Sequence, residues 1–170
     1  MILYLTSPPS FLEKENGIIM AREEKKEIRE ILISRIIKSE DLNHHGTLFA
    51  GRMAEWLVEA CLISAIDLLR KPEDIVCARI HGMNFLKSST TGDIIEIKSR
   101  IAHLGEKSLT VDAKVFVNGR DDTPSVTGMV TFVTVDKNGI PYAHGITLSP
   151  EYIEENRPIH LAALEARKHR

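Results

Sequence analysis

From Ile28 to Ile37 apolar and polar positions alternate. Ile31, Ile33 and Ile37 share one face with Arg29 and Arg35, and Leu32 and Ile36 take the other. A β-branched run of period two predicts a strand. The polar stretch Asp41 to Gly46 follows and reads as a loop. The period then changes. Over 48–69, at about 100° per residue, Phe49, Met53, Trp56, Ala60, Ile63 and Ser64 gather on one side. Val58, Leu62, Ala65 and Leu69 lie opposite, and the polar interruptions are few: Arg52, Glu55, Glu59 and a late Asp67. A helix apolar nearly all round is expected to be buried, and Lys71-Pro72 stops it.

Four strand-like runs come next: Ile75 to Phe85, Ile94 to His103, Ser108 to Val117 and Ser125 to Val135. They are separated by Gly92-Asp93, by Leu104 to Lys107 and by Asn118-Gly119. Short connections argue for antiparallel neighbours in a four-strand meander. Ser149 as cap, Pro150 at the first helical position and Glu151 in the first turn predict a final helix, split by Pro158. A lone apolar helix needs a cover, and a sheet bent around it supplies one, so the expected fold class is α+β. The expected division is an N-terminal arm over 1–25, one domain over 26–145 and a C-terminal helical extension over 146–170.

Composition adds limits. The chain has 170 residues, 43% hydrophobic and 27% charged, and its net charge is 22 − 24 = −2. That is the profile of one globular domain, with no bulk attraction to nucleic acid. No apolar run is long enough to span a membrane. The opening Met1 to Leu5 lacks the basic lead of a signal peptide, and Cys61 and Cys77 make no disulfide framework. A cytoplasmic protein with reduced thiols is expected.

The segment Asp41-Leu42-Asn43-His44-His45-Gly46-Thr47-Leu48-Phe49-Ala50-Gly51-Arg52-Met53, followed by Glu59-Ala60, resembles the loop and helix start of hotdog-fold acyl-CoA thioesterases. Asn84-Phe85-Leu86 with Gly92-Asp93-Ile94-Ile95 is similar to a second signature of that family, and Gly105 to Val111 to a third. The tail from Pro150 to Lys168 is similar to tails of the cytosolic acyl-CoA hydrolase branch. The resemblance implies an antiparallel sheet wrapped around one long helix, and a homodimer or hexamer with active sites between subunits. It implies acyl-CoA as substrate, with coenzyme A as part of that substrate and no further cofactor.

Thioester hydrolysis without a metal needs an activated water and a cradle for the carbonyl oxygen. A carboxylate supplies the first and the N–H groups of a helix N-terminus the second. Glu59 is the candidate base, flanked by Leu62, Ile63 and Ile66, which would favour its neutral form. Counted without gaps from Gly46, the usual family carboxylate falls on Val58, and Glu59 comes one residue later. Asn43 resembles the family asparagine that orients water or carbonyl; its other reading is a turn cap. His45 is a candidate to polarise the carbonyl. Backbone N–H near Ala50 and Gly51 would hold the oxyanion. Arg79, Lys87, Lys107 and Ser108 lie in or beside segments that line the coenzyme groove in the relatives. His44-His45 lacks the spacing of a metal site. Two other readings stand beside hydrolysis: a lyase or hydratase similar to β-aminoacyl-CoA ammonia-lyases, and an acyl-CoA-binding module without chemistry.

Overall fold

The computed structural model describes residues 28–119 and 123–168, so the arm expected over 1–25 lies outside the described residues. The elements are β1 (Ile31–Ile36), α1 (Ala50–Leu69), β2 (Ile75–Phe85), β3 (Ile94–Leu104), β4 (Ser108–Val117), β5 (Val126–Thr134), α2 (Pro150–Glu155) and α3 (Arg157–Lys168). The five strands form one antiparallel sheet in the order β1-β3-β4-β5-β2. Alternation along β3 and β4 sends Ile95, Ile97, Ile101, Leu109, Val111, Ala113 and Val115 inward, all buried against Met53, Leu57, Ala60, Cys61 and Ala65 of α1. Helix and sheet also share a buried polar contact, Ser64 to Ser99 at 2.8 Å, with the Ser99 hydroxyl donating to the Ala60 carbonyl at 3.1 Å. At Gly128 of β5 a Cβ atom would lie 3.3 Å from Leu57 Cδ1 and 3.3 Å from the Gly82 carbonyl. Glycine there lets the helix and the bulged β2 approach.

Two expectations change. The last four strands are not a serial meander: β3-β4-β5 is one, but β2 pairs with β5 at the far edge and β3 pairs with β1. Residues 86–93 therefore cross the end of the sheet instead of making a hairpin. A turn of that length serves a crossover as well as a hairpin, and only the demand to flank the helix on both sides chooses between them. Nor is α1 covered all round. Gly51, Glu55, Glu59 and Ile63 are exposed, and Val58, Leu62 and Ile66 are half-buried. A single sheet covers one side of a helix; the opposite stripe stays open in one protomer.

The C-terminal helices follow the expected plan. The Ser149 hydroxyl accepts from Tyr152 N at 3.2 Å, Pro150 opens α2, and the break falls at Asn156, just before Pro158. They pack on the outer face of the sheet: Tyr152 donates to the Ile101 carbonyl at 2.7 Å and His160 to that of Ala102 at 2.9 Å. No helix among the described residues is long and apolar enough to cross a membrane.

Candidate active site

The N-terminus of α1 is a bare one. Phe49 caps it without a side-chain bond, the first turn holds no acid, and the first helical bond runs from Met53 N to the Phe49 carbonyl at 3.1 Å. The N–H groups of Ala50, Gly51 and Arg52 thus have no helical carbonyl to serve, and they carry the positive end of the helix dipole. The Phe49 ring lies over Gly51, where a Cβ atom would sit 2.4 Å from it.

Asn43 builds the loop that leads into this helix. Its Oδ1 accepts from His45 N at 2.8 Å and from Thr47 N at 3.3 Å, and its Nδ2 donates to Thr47 Oγ1 at 3.0 Å. Gly46, at φ +75°, closes the turn by donating to the Asn43 carbonyl at 3.0 Å. The crossover 86–93 is laced to the same loop, since Leu48 N donates to the Ser89 carbonyl at 2.8 Å and Thr90 Oγ1 to that of Gly46 at 3.2 Å.

Between loop, helix start and crossover lies a pocket of about 340 Å³. Its floor is apolar, made of the buried Met53, Ile95 and Val115 with Leu48, Phe85 and Val126. Asn43, Ala50, Lys87, Ser88, Ser89 and Ser125 line the rest. Of the residues proposed from sequence, this pocket brings together Asn43 and Lys87, next to the helix start that carries Gly51. It leaves out the others. His45 is exposed, with its ring 3.9 Å from that of His44. Arg79 sits midway along β2, exposed beside Thr131. Lys107 and Ser108 lie at the β3–β4 turn, the opposite end of the sheet, and Ser108 Oγ accepts from Arg167 of α3 at 3.1 Å. Ser88, Ser89 and Ser125 were not singled out from sequence. The small polar run Lys87-Ser88-Ser89-Thr90-Thr91 was the available signal, but its meaning depends on the crossover.

Glu59 faces elsewhere. α1 runs unbroken from Ala50 to Leu69, so the one-residue offset from Val58 remains a full rotation of about 100°. The side chain is 48% exposed and pairs with Arg35 of β1, whose guanidinium also lies 5.5 Å from the Trp56 ring. The apolar surroundings expected around this carboxylate are replaced by a cation and solvent. Glu59 lies nine residues beyond Ala50, roughly 14 Å along the axis, and outside the pocket.

The chain matches the model of the thioesterase superfamily over residues 45–123. It is 30% identical over 120 residues to the uncharacterized acyl-CoA thioester hydrolase YkhA of Bacillus subtilis, spanning 68% of this chain and 67% of that protein. Among solved structures it is similar to an acyl-CoA hydrolase from Bacillus cereus, at 26% identity and a TM-score of 0.67, covering 82% of this chain and 85% of that one. It is also similar to the hexameric thioesterase y2039 from Yersinia pestis, at 25% identity and a TM-score of 0.60, covering 65% and 91%. A bare helix start over an apolar pocket, the five-stranded wrap and these likenesses converge: the chain belongs to the thioesterase superfamily, among its hotdog-fold acyl-CoA thioesterases.

Proposed function

We propose that the protein hydrolyses acyl-CoA to free coenzyme A and a carboxylic acid, with the acyl chain in the 340 Å³ pocket and the thioester carbonyl at the start of α1. The observation that carries this reading is the joining of an apolar pocket to an uncapped helix N-terminus through Ala50, which belongs to both. Attack by water puts negative charge on the carbonyl oxygen; fixed N–H donors at a helix start stabilise that charge and need no reorganisation. Asn43 holds the loop, and thereby the start of the helix, in place. Lys87, at the pocket wall, supplies a cation toward the phosphates of the coenzyme.

Catalysis then needs a base, and no carboxylate lines the pocket among the described residues. The open stripe of α1 and the free edge of β2 favour a second copy as its source. Val76, Ile80, Phe85 and Leu86 leave large apolar surface exposed along β2 and just beyond it, with Ile63 on the helix. Joining two copies there sets their α1 helices antiparallel, and the middle of one helix, with Glu59, approaches the start of the other. Glu59 of one copy then activates water for the pocket of the other after its side chain leaves Arg35, which sits on β1 at the sheet edge opposite β2. Further assembly of such dimers gives a hexamer.

Free-thiol release across a panel of acyl-CoAs tests the activity: turnover that saturates with substrate supports it, and no release at any chain length overturns it. Release of ammonia or water from β-substituted acyl-CoAs without thiol would support the lyase reading instead. Subunit mixing tests the shared site. Asn43→Ala and Glu59→Gln, each impaired alone, should recover part of the wild-type rate when mixed and reassociated; no recovery rejects the exchange of Glu59 between copies.

A further inference from the structure

The proposed acyl pocket is not uniformly apolar. Ser89 and Ser125 line it, and they are 9% and 2% exposed. Neither hydroxyl has a hydrogen-bond partner among the described residues. Their backbones are pinned: Ser89 accepts from Leu48 N at 2.8 Å, while Ser125 donates to Val115 O at 2.7 Å and accepts from Leu86 N at 2.8 Å. Two nearly buried serines on a pinned backbone, with no protein partner for their hydroxyls among the described residues, line the same pocket as Met53, Ile95 and Val115.

Such hydroxyls bond to water while the pocket is open. A plain alkyl chain expels that water and offers nothing in return, and each unpaired hydroxyl then costs binding. A chain bearing its own hydroxyl or carbonyl repays the loss. A site with built-in hydrogen-bonding groups discriminates against the analogue that lacks the matching group more strongly than an apolar wall can. We infer that the pocket selects acyl groups carrying an oxygen substituent, a hydroxy- or oxo-acyl chain of bounded length, over unsubstituted fatty acyl chains. The inference rests on the hydrolase reading and assigns Ser89 and Ser125 as specificity residues. Hydrolysis itself is unchanged: water adds to the thioester carbonyl, the C–S bond breaks, and the thiol leaves with a proton.

The test compares thiol release from hexanoyl-CoA, 3-hydroxyhexanoyl-CoA and 3-oxohexanoyl-CoA by the full chain. At least one oxygenated substrate should show a kcat/KM about tenfold or more above that of hexanoyl-CoA. Ser89→Ala and Ser125→Ala should each shrink that ratio, chiefly by raising the rate with hexanoyl-CoA, and the double variant should bring it to within about threefold. The wild-type ratio needs no variant to fold. Equal rates on all three substrates, or a ratio untouched by both substitutions, overturns the inference and leaves hydrolysis standing. No release from any of them overturns the proposed function, and this inference with it.

Discussion

Single side chains at this site take meaning from where the backbone points them. Asn43 is the clearest case: its carboxamide is spent on the turn, with both Oδ1 and Nδ2 engaged by residues 45 and 47. Asn43→Ala should lose the loop bonds and misplace the start of α1. A fall in kcat of about ten- to a hundredfold is expected, with folding retained by far-UV circular dichroism; undiminished kcat would show that the turn is dispensable. Glu59 is the opposite case. One residue of helical phase takes it to Arg35, so its use as a base depends on a second chain. Glu59→Gln should lower kcat by at least about a hundredfold with little change in KM, measured by thiol release, and a kcat near wild type would remove Glu59 from the chemistry. In the core, Leu57 is fully buried, and Leu57→Ala should cost about 2–5 kcal/mol of unfolding free energy in urea titration.

Helix α3 docks on the sheet through a directed chain of hydrogen bonds. Arg167 donates to Thr110 Oγ1 at 3.3 Å, the Thr110 and Thr131 hydroxyls meet at 2.7 Å, and Thr131 reaches His81 Nε2 at 2.7 Å. His81 Nδ1 returns to the Ala166 carbonyl of α3 at 3.1 Å. The chain runs in one direction only with a neutral His81, whose Nε2 accepts. Burial, together with Arg79 and Arg167, lowers its pKa. On β3, against His160 of α3, burial, Arg167 and His160 push His103 down to about 4 from 6.5, and its buried Nδ1 has no partner among the described residues. Both histidines prefer the neutral form when α3 is docked. Their support is therefore complete above the free value near 6.5 and is lost as pH falls below it, for His103 toward about 4. Amide exchange in α3, corrected for intrinsic rates, should rise between pH 7.5 and pH 5 while β4 stays protected; equal protection of α3 at both values would refute this role for the two histidines. The helix itself was legible, with Ser149, Pro150 and Pro158 doing what their positions predict. Its docking partners were not, because His81 and Thr131 are fifty residues apart in the chain.

At the scale of the whole molecule, the protomer leaves one apolar sheet edge uncovered. β2 is an edge strand bearing exposed Val76, Ile80 and Phe85, and a free edge of that kind invites pairing. Val76→Lys with Ile80→Lys, neither of which lines the pocket, should shift the sedimentation coefficient toward a monomer and abolish thiol release together; an active monomer would exclude the shared site. The element types and their approximate limits followed from local rules: alternation of period two in β1 and β3–β5, a helical period over α1, caps and prolines at the C-terminal helices. Those preferences act between near neighbours and need no knowledge of the rest of the chain. The family likeness was equally local, carried by residues 41–53 and two later signatures. What tertiary structure alone decided was adjacency: β2 beside β5 instead of β3, the crossover 86–93 as a pocket wall, Ser89 and Ser125 in that pocket, and Glu59 against Arg35. Strand order and helix phase relative to a sheet come from covering one helix with one sheet, a contest among contacts distant in sequence that no short pattern of residues encodes.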